Sequence, residues 1–388
     1  MQDSDLSFWF RCYSHILAVV NQLGSLKWLF PFLFLLHFLI GAFIPPLVTS
    51  DFQRNLFYGD AFWKHGFTVY DMTPLEISNN TYNVRDPLTG EYSYPNTTYD
   101  YPTVQLLFWA GLSLLPFSSI ISKWFLSCID ILNFFLIYSL IWRRQNEENK
   151  RLLFENGFAL SYLLFAIPFS AIEGQPTAIT VLFLLMPLLL HTKYPIWSYM
   201  SIGFGFHWKY VSLLLLPYLL LIDHKLLKQA VSGVLVTTTV IVLLSFPFLF
   251  SDFILNYFAA FGALGSYSGQ TPSNPLFFFY PSISSILSSV ILITAVLYWI
   301  GLIPSNETSI KKIIEQSYWM PFVFFLGFLK IYTTAFPWYW MWFFPPLALL
   351  PQNNRKLFVV FLGITFAIGL LDFIQMTVGL TDFVNFFL

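Results

Sequence analysis

The run WLFPFLFLLHFLIGAFIPPLVTSDFQR, residues 28–54, decides how this chain is read. From Trp28 to Val48 it holds no Asp, Glu, Lys or Arg, only His37 among apolar and aromatic side chains. An apolar helix needs about 20 residues to cross the hydrocarbon core of a bilayer. Residues 28–48 have that length and predict a first membrane helix. The character then changes at once, to Thr49-Ser50-Asp51-Phe52-Gln53-Arg54. A carboxylate and a guanidinium at a helix exit belong at the membrane surface rather than inside it.

The rest of the chain agrees with that opening. Its 388 residues are 57% hydrophobic, 21% aromatic and 10% charged. Soluble domains average about 25% charged residues, so a water-soluble fold of this length would lack the polar surface it needs. A cytosolic enzyme, a disordered chain and a secreted disulfide scaffold are excluded. The formal net charge of −1 excludes a polybasic nucleic-acid binder. Cys12 and Cys128 lie in unlike contexts and predict no structural disulfide. Residues 1–27 have no apolar core ahead of a small-residue cleavage site, so the helix over 28–48 is expected to be retained.

Further spans are predicted over 120–142, 152–172, 175–191, 229–250, 282–303, 319–336 and 357–379. Residues 194–222 are too long for one simple span and carry His207 and Lys209 in the middle. They read as two half-length crossings meeting near His207. Residues 338–350 contain Pro345 and Pro346 and predict a short or tilted helix. Residues 102–118, with Pro102, Gly111 and Pro116, read as a membrane-dipping segment that does not cross. The fold class is therefore an all-α polytopic membrane protein of about ten membrane segments, one integral domain over 1–388.

Basic residues set the orientation. Arg11 and Lys27, then Arg143, Arg144, Lys150 and Arg151, then Lys193, Lys225, Lys228, Lys311, Lys312, Arg355 and Lys356 mark a cytoplasmic face. Residues 1–27 fall on that side, while 28–48 and 102–388 form the bundle. Residues 49–101 become a large external loop, expected to carry the catalysis. It holds Asp51, Asp60, Asp71, Glu76, Asp86, Glu91 and Asp100 against Arg54, Lys64 and Arg85, with sequons at Asn79 and Asn96. Within it, Phe52, Leu56, Phe57, Phe62 and Trp63 pattern an amphipathic interfacial helix over 52–66, with Asp60, Lys64 and His65 toward solvent.

Five pieces carry possible chemistry, each with a plainer reading beside it. Asp51 is an interfacial carboxylate or a general base, with Arg54 one turn on. Tyr99-Asp100-Tyr101-Pro102 is an ordinary aromatic belt or a sugar-stacking platform. Glu173-Gly174-Gln175-Pro176 is a tight turn, yet Glu and Gln at that depth usually face a cavity. His207-Trp208-Lys209-Tyr210 puts a cation inside an apolar stretch, where it snorkels or serves as a point charge for a phosphate. Lys330, followed by Trp338-Tyr339 and Trp342, is a second intramembrane cation beside an aromatic cluster. Asp130 and Asp372 are further intramembrane carboxylates, Asp130 either protonated or paired with Lys123. Phosphate-loop, zinc and nucleophile-elbow signatures are absent.

These pieces, in this order, resemble the GT-C class of membrane glycosyltransferases. They are most similar to the polyprenyl-phosphate-mannose-dependent mannosyltransferases, a group that includes the catalytic subunit of GPI mannosyltransferase I. Asp51 looks like that group's acidic residue after the first helix. Gly66–Tyr70 looks like its G-x-x-x-Y stretch, followed by Tyr99–Pro102. Phe206-His207-Trp208-Lys209-Tyr210 is similar to its V-H-x-K-x-Y element. Lys330, Thr333 or Thr334, Trp338-Tyr339 and Trp342 resemble its late K-x-x-T-x-Q-Y-x-x-W element. Glu173-Gly174-Gln175 looks like the Gly-Gln or Gly-Asn turn of related bacterial and archaeal members. The resemblance spans roughly 28–350, in short degenerate motifs. Phe52 and Gln53 stand where the GPI enzyme completes a DxD pair, and Pro337 where the family has Gln.

The resemblance implies a GT-C-like bundle that transfers a hexose, mannose above all, from a polyprenyl-phosphate donor to a glycolipid or glycan acceptor. Transfer would invert the anomeric carbon, on the external or lumenal face of a plasma or endoplasmic reticulum membrane. Asp51 would be the base. Lys209, Lys330 and His207 would hold the donor phosphate. Arg54, Tyr99, Asp100, Tyr101, Glu173, Gln175, Trp338 and Tyr339 would contact sugar or acceptor. No metal and no cofactor are expected; the expected partners are the two substrates and membrane lipids, with room for a small membrane partner subunit. Two other classes compete. A transporter or lipid-linked sugar flippase would use Lys209, Lys330, Asp130 and Asp372 as a charged pathway. A noncatalytic subunit would depend on a partner chain.

Overall fold

A computed structural model of the chain describes Ser14 and residues 16–21, 24–43, 50–85, 95–96, 98–142, 153–223, 226–250, 337–349, 363 and 367. The expected spans 282–303, 319–336 and 357–379, the cluster Arg143 to Arg151, Lys330 and Asp372 lie outside the described residues, but for Gly363 and Ala367. The described residues are overwhelmingly helical and contain no strand element. Among the described residues, three stretches are long and apolar enough to cross a membrane: Leu26–Phe43, Ser118–Ile141 and Leu227–Phe248.

Helix α1 (Leu29–Phe43) begins from a 3-10 turn, Gly24–Trp28. Helix α2 (Ser50–His65) is the amphipathic helix expected over 52–66. Phe52, Arg54, Asn55, Tyr58 and Ala61 are buried, whereas Gln53, Asp60 and Lys64 are exposed. A 3-10 turn (Gly66–Asp71) and the short α3 (Pro74–Ile77) follow, the latter closed by a Thr73–Glu76 capping box.

Helix α4 (Thr103–Ser113) covers most of 102–118. Eleven residues rise about 16 Å, half a hydrocarbon core, which is too short to cross. Pro116 and a positive φ of 54° at Phe117 end the segment. Helices α2 and α4 pack tightly because position 59 has no side chain. A Cβ on Gly59 would stand 2.5 Å from the Trp109 carbonyl group. Trp63 Nε1 donates to the Ala110 carbonyl at 2.8 Å and seals the seam.

Helices α5 (Ser118–Trp142), α6 (Leu153–Ala166) and α7 (Thr177–Leu190) form the core with α1. Polar side chains tie them together. His37 Nε2 donates to the Leu163 carbonyl at 2.8 Å. Tyr162 donates to Asp130 at 2.6 Å, and Asn133 donates to both Tyr162 and the Ala178 carbonyl. Asp130, ambiguous in sequence, therefore takes a tyrosine hydroxyl.

Residues 194–222 fold as a hairpin. Helix α8 (Pro195–Phe206) breaks at His207-Trp208-Lys209, and the chain returns through a 3-10 segment (Tyr210–Leu215) and α9 (Leu216–Ile222). Ser212 Oγ donates to the Ile202 carbonyl at 3.1 Å, joining the arms. At the base, Asp223 accepts from Tyr199 at 2.8 Å and pairs with His191 at 3.1 Å. Lys209 is thus at the tip, while Lys193 and Lys228 lie exposed near the base. Helix α10 (Leu227–Ser245) flanks the hairpin; a Cβ on Gly233 would meet the Tyr199 ring at 2.4 Å. Residues 337–349 form a 3-10 turn (Pro337–Phe343) and the short α11 (Phe344–Leu347), the compact element that the two prolines predict.

The Gly59 contact gives a direct test. Gly59→Ala pushes a methyl into backbone and should cost about 1–3 kcal/mol, read as a lowered Tm in detergent. Gly111→Ala, on α4 with open space around it, should leave Tm unchanged or slightly raised.

Candidate functional site

The site is assembled where α2, the Tyr99–Pro102 strap, the hairpin tip and the Pro337–Phe343 turn meet. Its placement depends on Phe52. That ring is buried, packs edge-on against Trp109 at 5.5 Å and lies directly on Gly174. Gly174 has φ +72°, and a Cβ there would stand 2.4 Å from the ring. Glycine is required at that position both for its backbone conformation and for space. The turn that delivers it is a π-helical segment, Ile167–Ile172. The Glu173 N–H donates to the Pro168 carbonyl at 3.0 Å and the Gln175 N–H to the Phe169 carbonyl at 2.8 Å. Wide turns of this kind often mark functional positions. Here it brings Gln175, whose Nε2 is buried without a hydrogen-bond partner, near the Asp51 carboxyl group.

Asp51 is half-buried in the first turn of α2. Burial pushes its carboxyl above the ordinary carboxylate range, and nearby Asp100 adds to this. Arg54, Lys209 and the Gln175 amide pull in the opposite direction. A carboxylate held this way is more basic than a free one, as a proton acceptor requires.

Lys209 is the second element. Its ammonium sits over three rings: Tyr339 at 4.8 Å, Trp342 at 4.9 Å and Tyr101 at 5.7 Å. Tyr339 and Trp342 are themselves stacked at 4.2 Å. Each cation–π contact is worth about 0.5–2 kcal/mol depending on desolvation. Asp51 and Asp100 both lie within electrostatic reach of the same ammonium. This answers how a lysine survives in an apolar hairpin. Burial holds the Tyr101 phenol neutral by raising it well above its usual value.

Arg54 and Asp100 form a supporting pair. Their side chains meet at 3.0 Å, with Arg54 almost fully buried and Asp100 34% exposed. Arg54 also donates to the Thr98 carbonyl at 2.8 Å and lies over the Tyr58 and Tyr99 rings. These contacts fix the strap that carries Tyr101.

The other expected residues fall as follows. Tyr99 is fully buried, donates to Asn55 Oδ1 at 2.9 Å and packs on Tyr58 at 4.6 Å. His207 Nε2 donates to the Ile241 carbonyl at 2.8 Å, with Ser245 Oγ 3.3 Å away, so its ring ties the tip to α10. Glu173 is fully buried at the end of the π-turn. Trp338 is half-buried, edge-on to Phe169 and Tyr339. Lys330 lies outside the described residues. Trp342 and Asn55 were not singled out in sequence as contacts here. Trp342 offered the signal of a tryptophan one helical turn from Tyr339; Asn55 offered only its place one turn after Asp51. Among the described residues no group of three or more His, Cys, Asp and Glu side chains forms a metal site.

The raised carboxyl of Asp51 has a signed consequence. A carboxyl whose value is higher in the folded state disfavours folding once ionised. Stability should therefore fall as pH rises from its unfolded value near 3.8 and level off above the folded one. Asp51→Asn removes this penalty. The variant should unfold at a higher temperature than wild type at pH 8, and the gap should close on acidification below about pH 4. Thermal unfolding across that range checks it. No protein-family model, no curated protein and no solved structure matches this chain.

Proposed function

We propose that the chain is a membrane glycosyltransferase. It moves a hexose, with mannose as the leading candidate, from a polyprenyl-phosphate donor to a lipid-linked or glycan acceptor. The observation that carries this reading is that Asp51 lies within electrostatic reach of the caged Lys209. Inverting transfer needs a base on one side of the anomeric carbon and a fixed cation behind the leaving group. In the proposed step the acceptor hydroxyl attacks the anomeric carbon while Asp51 takes its proton. The bond from that carbon to the phosphate oxygen breaks, and the departing polyprenyl phosphate keeps the electron pair. Lys209 meets the new charge, with Lys330 as a second cation. Tyr101 and Tyr339 offer aromatic surface to the sugar ring, and Gln175 orients Asp51.

The orientation belongs to the same proposal. The tip of the hairpin stands with Asp51, while its base carries Lys193 and Lys228. Basic residues favour the cytoplasmic side, so the site faces the outside or the lumen, in a plasma or endoplasmic reticulum membrane. The complete bundle has about ten membrane segments in this reading. The charged pathway required by a flippase finds less support, because Asp130 is engaged with Tyr162 in the core.

Purified protein in lipid nanodiscs, given radiolabelled polyprenyl-phosphate mannose and a membrane glycolipid extract, should yield a labelled acceptor. Asp51→Asn should lower the rate at least about 100-fold with insertion and expression normal. Lys209→Met should cost about 100- to 1,000-fold. Lipid translocation without a labelled product would favour the flippase, and full turnover by Asp51→Asn would remove Asp51 as base.

A further inference from the structure

The proposed reaction makes no use of the two sequons between α2 and α4, and the structure places them differently. Asn79-Asn80-Thr81 follows directly on α3. The Asn80 N–H donates to the Leu75 carbonyl at 2.9 Å, and the Thr81 N–H to the Ser78 carbonyl at 3.1 Å. Thr81 Oγ1 donates to that same Ser78 carbonyl at 2.6 Å. To close this turn Asn79 and Asn80 take φ of 49° and 64°, a left-handed region that asparagine tolerates better than most residues. The turn thus explains the asparagines, and it also sets a complete Asn-x-Thr acceptor at the surface.

All three residues of the triplet are exposed, whereas Pro74 before them and Tyr82 and Val84 after them are buried. A glycan on Asn79 would therefore extend into solvent without displacing a packed side chain. Asn96-Thr97-Thr98 also begins on an exposed asparagine, but it runs into the strap. The Thr98 carbonyl accepts from Arg54 at 2.8 Å, Tyr99 is fully buried, and α4 starts at Thr103. A glycan there would stand beside the segment that carries Tyr101.

We propose that Asn79 is a site of N-linked glycosylation on the external or lumenal face. This rests on the orientation given with the transferase reading. The co-reactant is a lipid-pyrophosphate-linked oligosaccharide, supplied with the glycosylating enzyme of the secretory membrane. The Asn79 amide nitrogen bonds to the anomeric carbon of that oligosaccharide. The bond from that carbon to the pyrophosphate oxygen breaks, and the lipid pyrophosphate leaves with the electron pair. One amide proton passes to a base of the glycosylating enzyme. The product is a bulky, solubilising surface group.

The test expresses the full chain in mammalian cells and compares gel mobility before and after treatment with peptide-N-glycosidase. Wild type should gain mobility on treatment. Asn79→Asp keeps a residue suited to the left-handed region; it should lack one glycan while its Tm in detergent matches that of deglycosylated wild type. Thr81→Ser preserves the acceptor triplet and should still carry the glycan. A second arm reads the orientation. In sealed microsomes, Asn80→Cys in a Cys12→Ser, Cys128→Ser background should react with a membrane-impermeant maleimide only after the vesicles are opened. That labelling pattern with no glycan on wild type, or with a glycan that Asn79→Asp leaves unchanged, overturns the site and leaves the orientation standing. Labelling of the sealed vesicles overturns both.

Discussion

An ammonium group in the middle of an apolar hairpin must be compensated or the hairpin does not form there. Lys209 is that group, and its compensation organises the segments around the hairpin tip. Three aromatic rings surround it, drawn from the strap before α4 and from the distant Pro337–Phe343 turn. Two carboxylates lie within its electrostatic reach. Segments far apart in sequence are thus bound to one charge.

The carboxylate side is arranged by packing rather than by charge. Phe52 is fixed between Trp109 and Gly174, and Asp51 is its immediate neighbour on α2. The π-turn that sets Gly174 under the Phe52 ring also brings Gln175 near Asp51. Arg54 uses its charge on Asp100 and a backbone carbonyl, which leaves Asp51 less fully neutralised than Asp100. Two acidic residues of one loop thereby acquire different environments: one paired, the other raised by burial. In the proposed reaction the paired Asp100 is structural and Asp51 is the carboxylate that takes the proton.

Much of this was legible from residue order and spacing. The short 102–118 segment, the break at His207–Lys209 and the amphipathic α2 all follow from proline, charge and apolar period. So does the interest of Asp51, Gln175, Lys209, Tyr101 and Tyr339, since polar groups at membrane depth need a reason. What the sequence could not supply was partnership. His207 looks like Lys209 in sequence, yet it bonds a carbonyl of α10. Tyr99 and Tyr101 are two residues apart, yet one is interior to the loop and the other lines the cage. Gln105 looks like an unremarkable helical glutamine until its burial is seen. Each of these depends on which neighbour the fold brings, and periodicity carries no information on that.

The central claim is that Asp51 and Lys209 form one electrostatic unit across α2 and the hairpin tip. A double-mutant cycle tests it most directly, with Asp51→Asn, Lys209→Met and the double variant compared by unfolding free energy at pH 8. The account predicts coupling of at least about 0.5 kcal/mol, the range found for interacting residues. Additive effects within about 0.3 kcal/mol would place the two groups apart and contradict it.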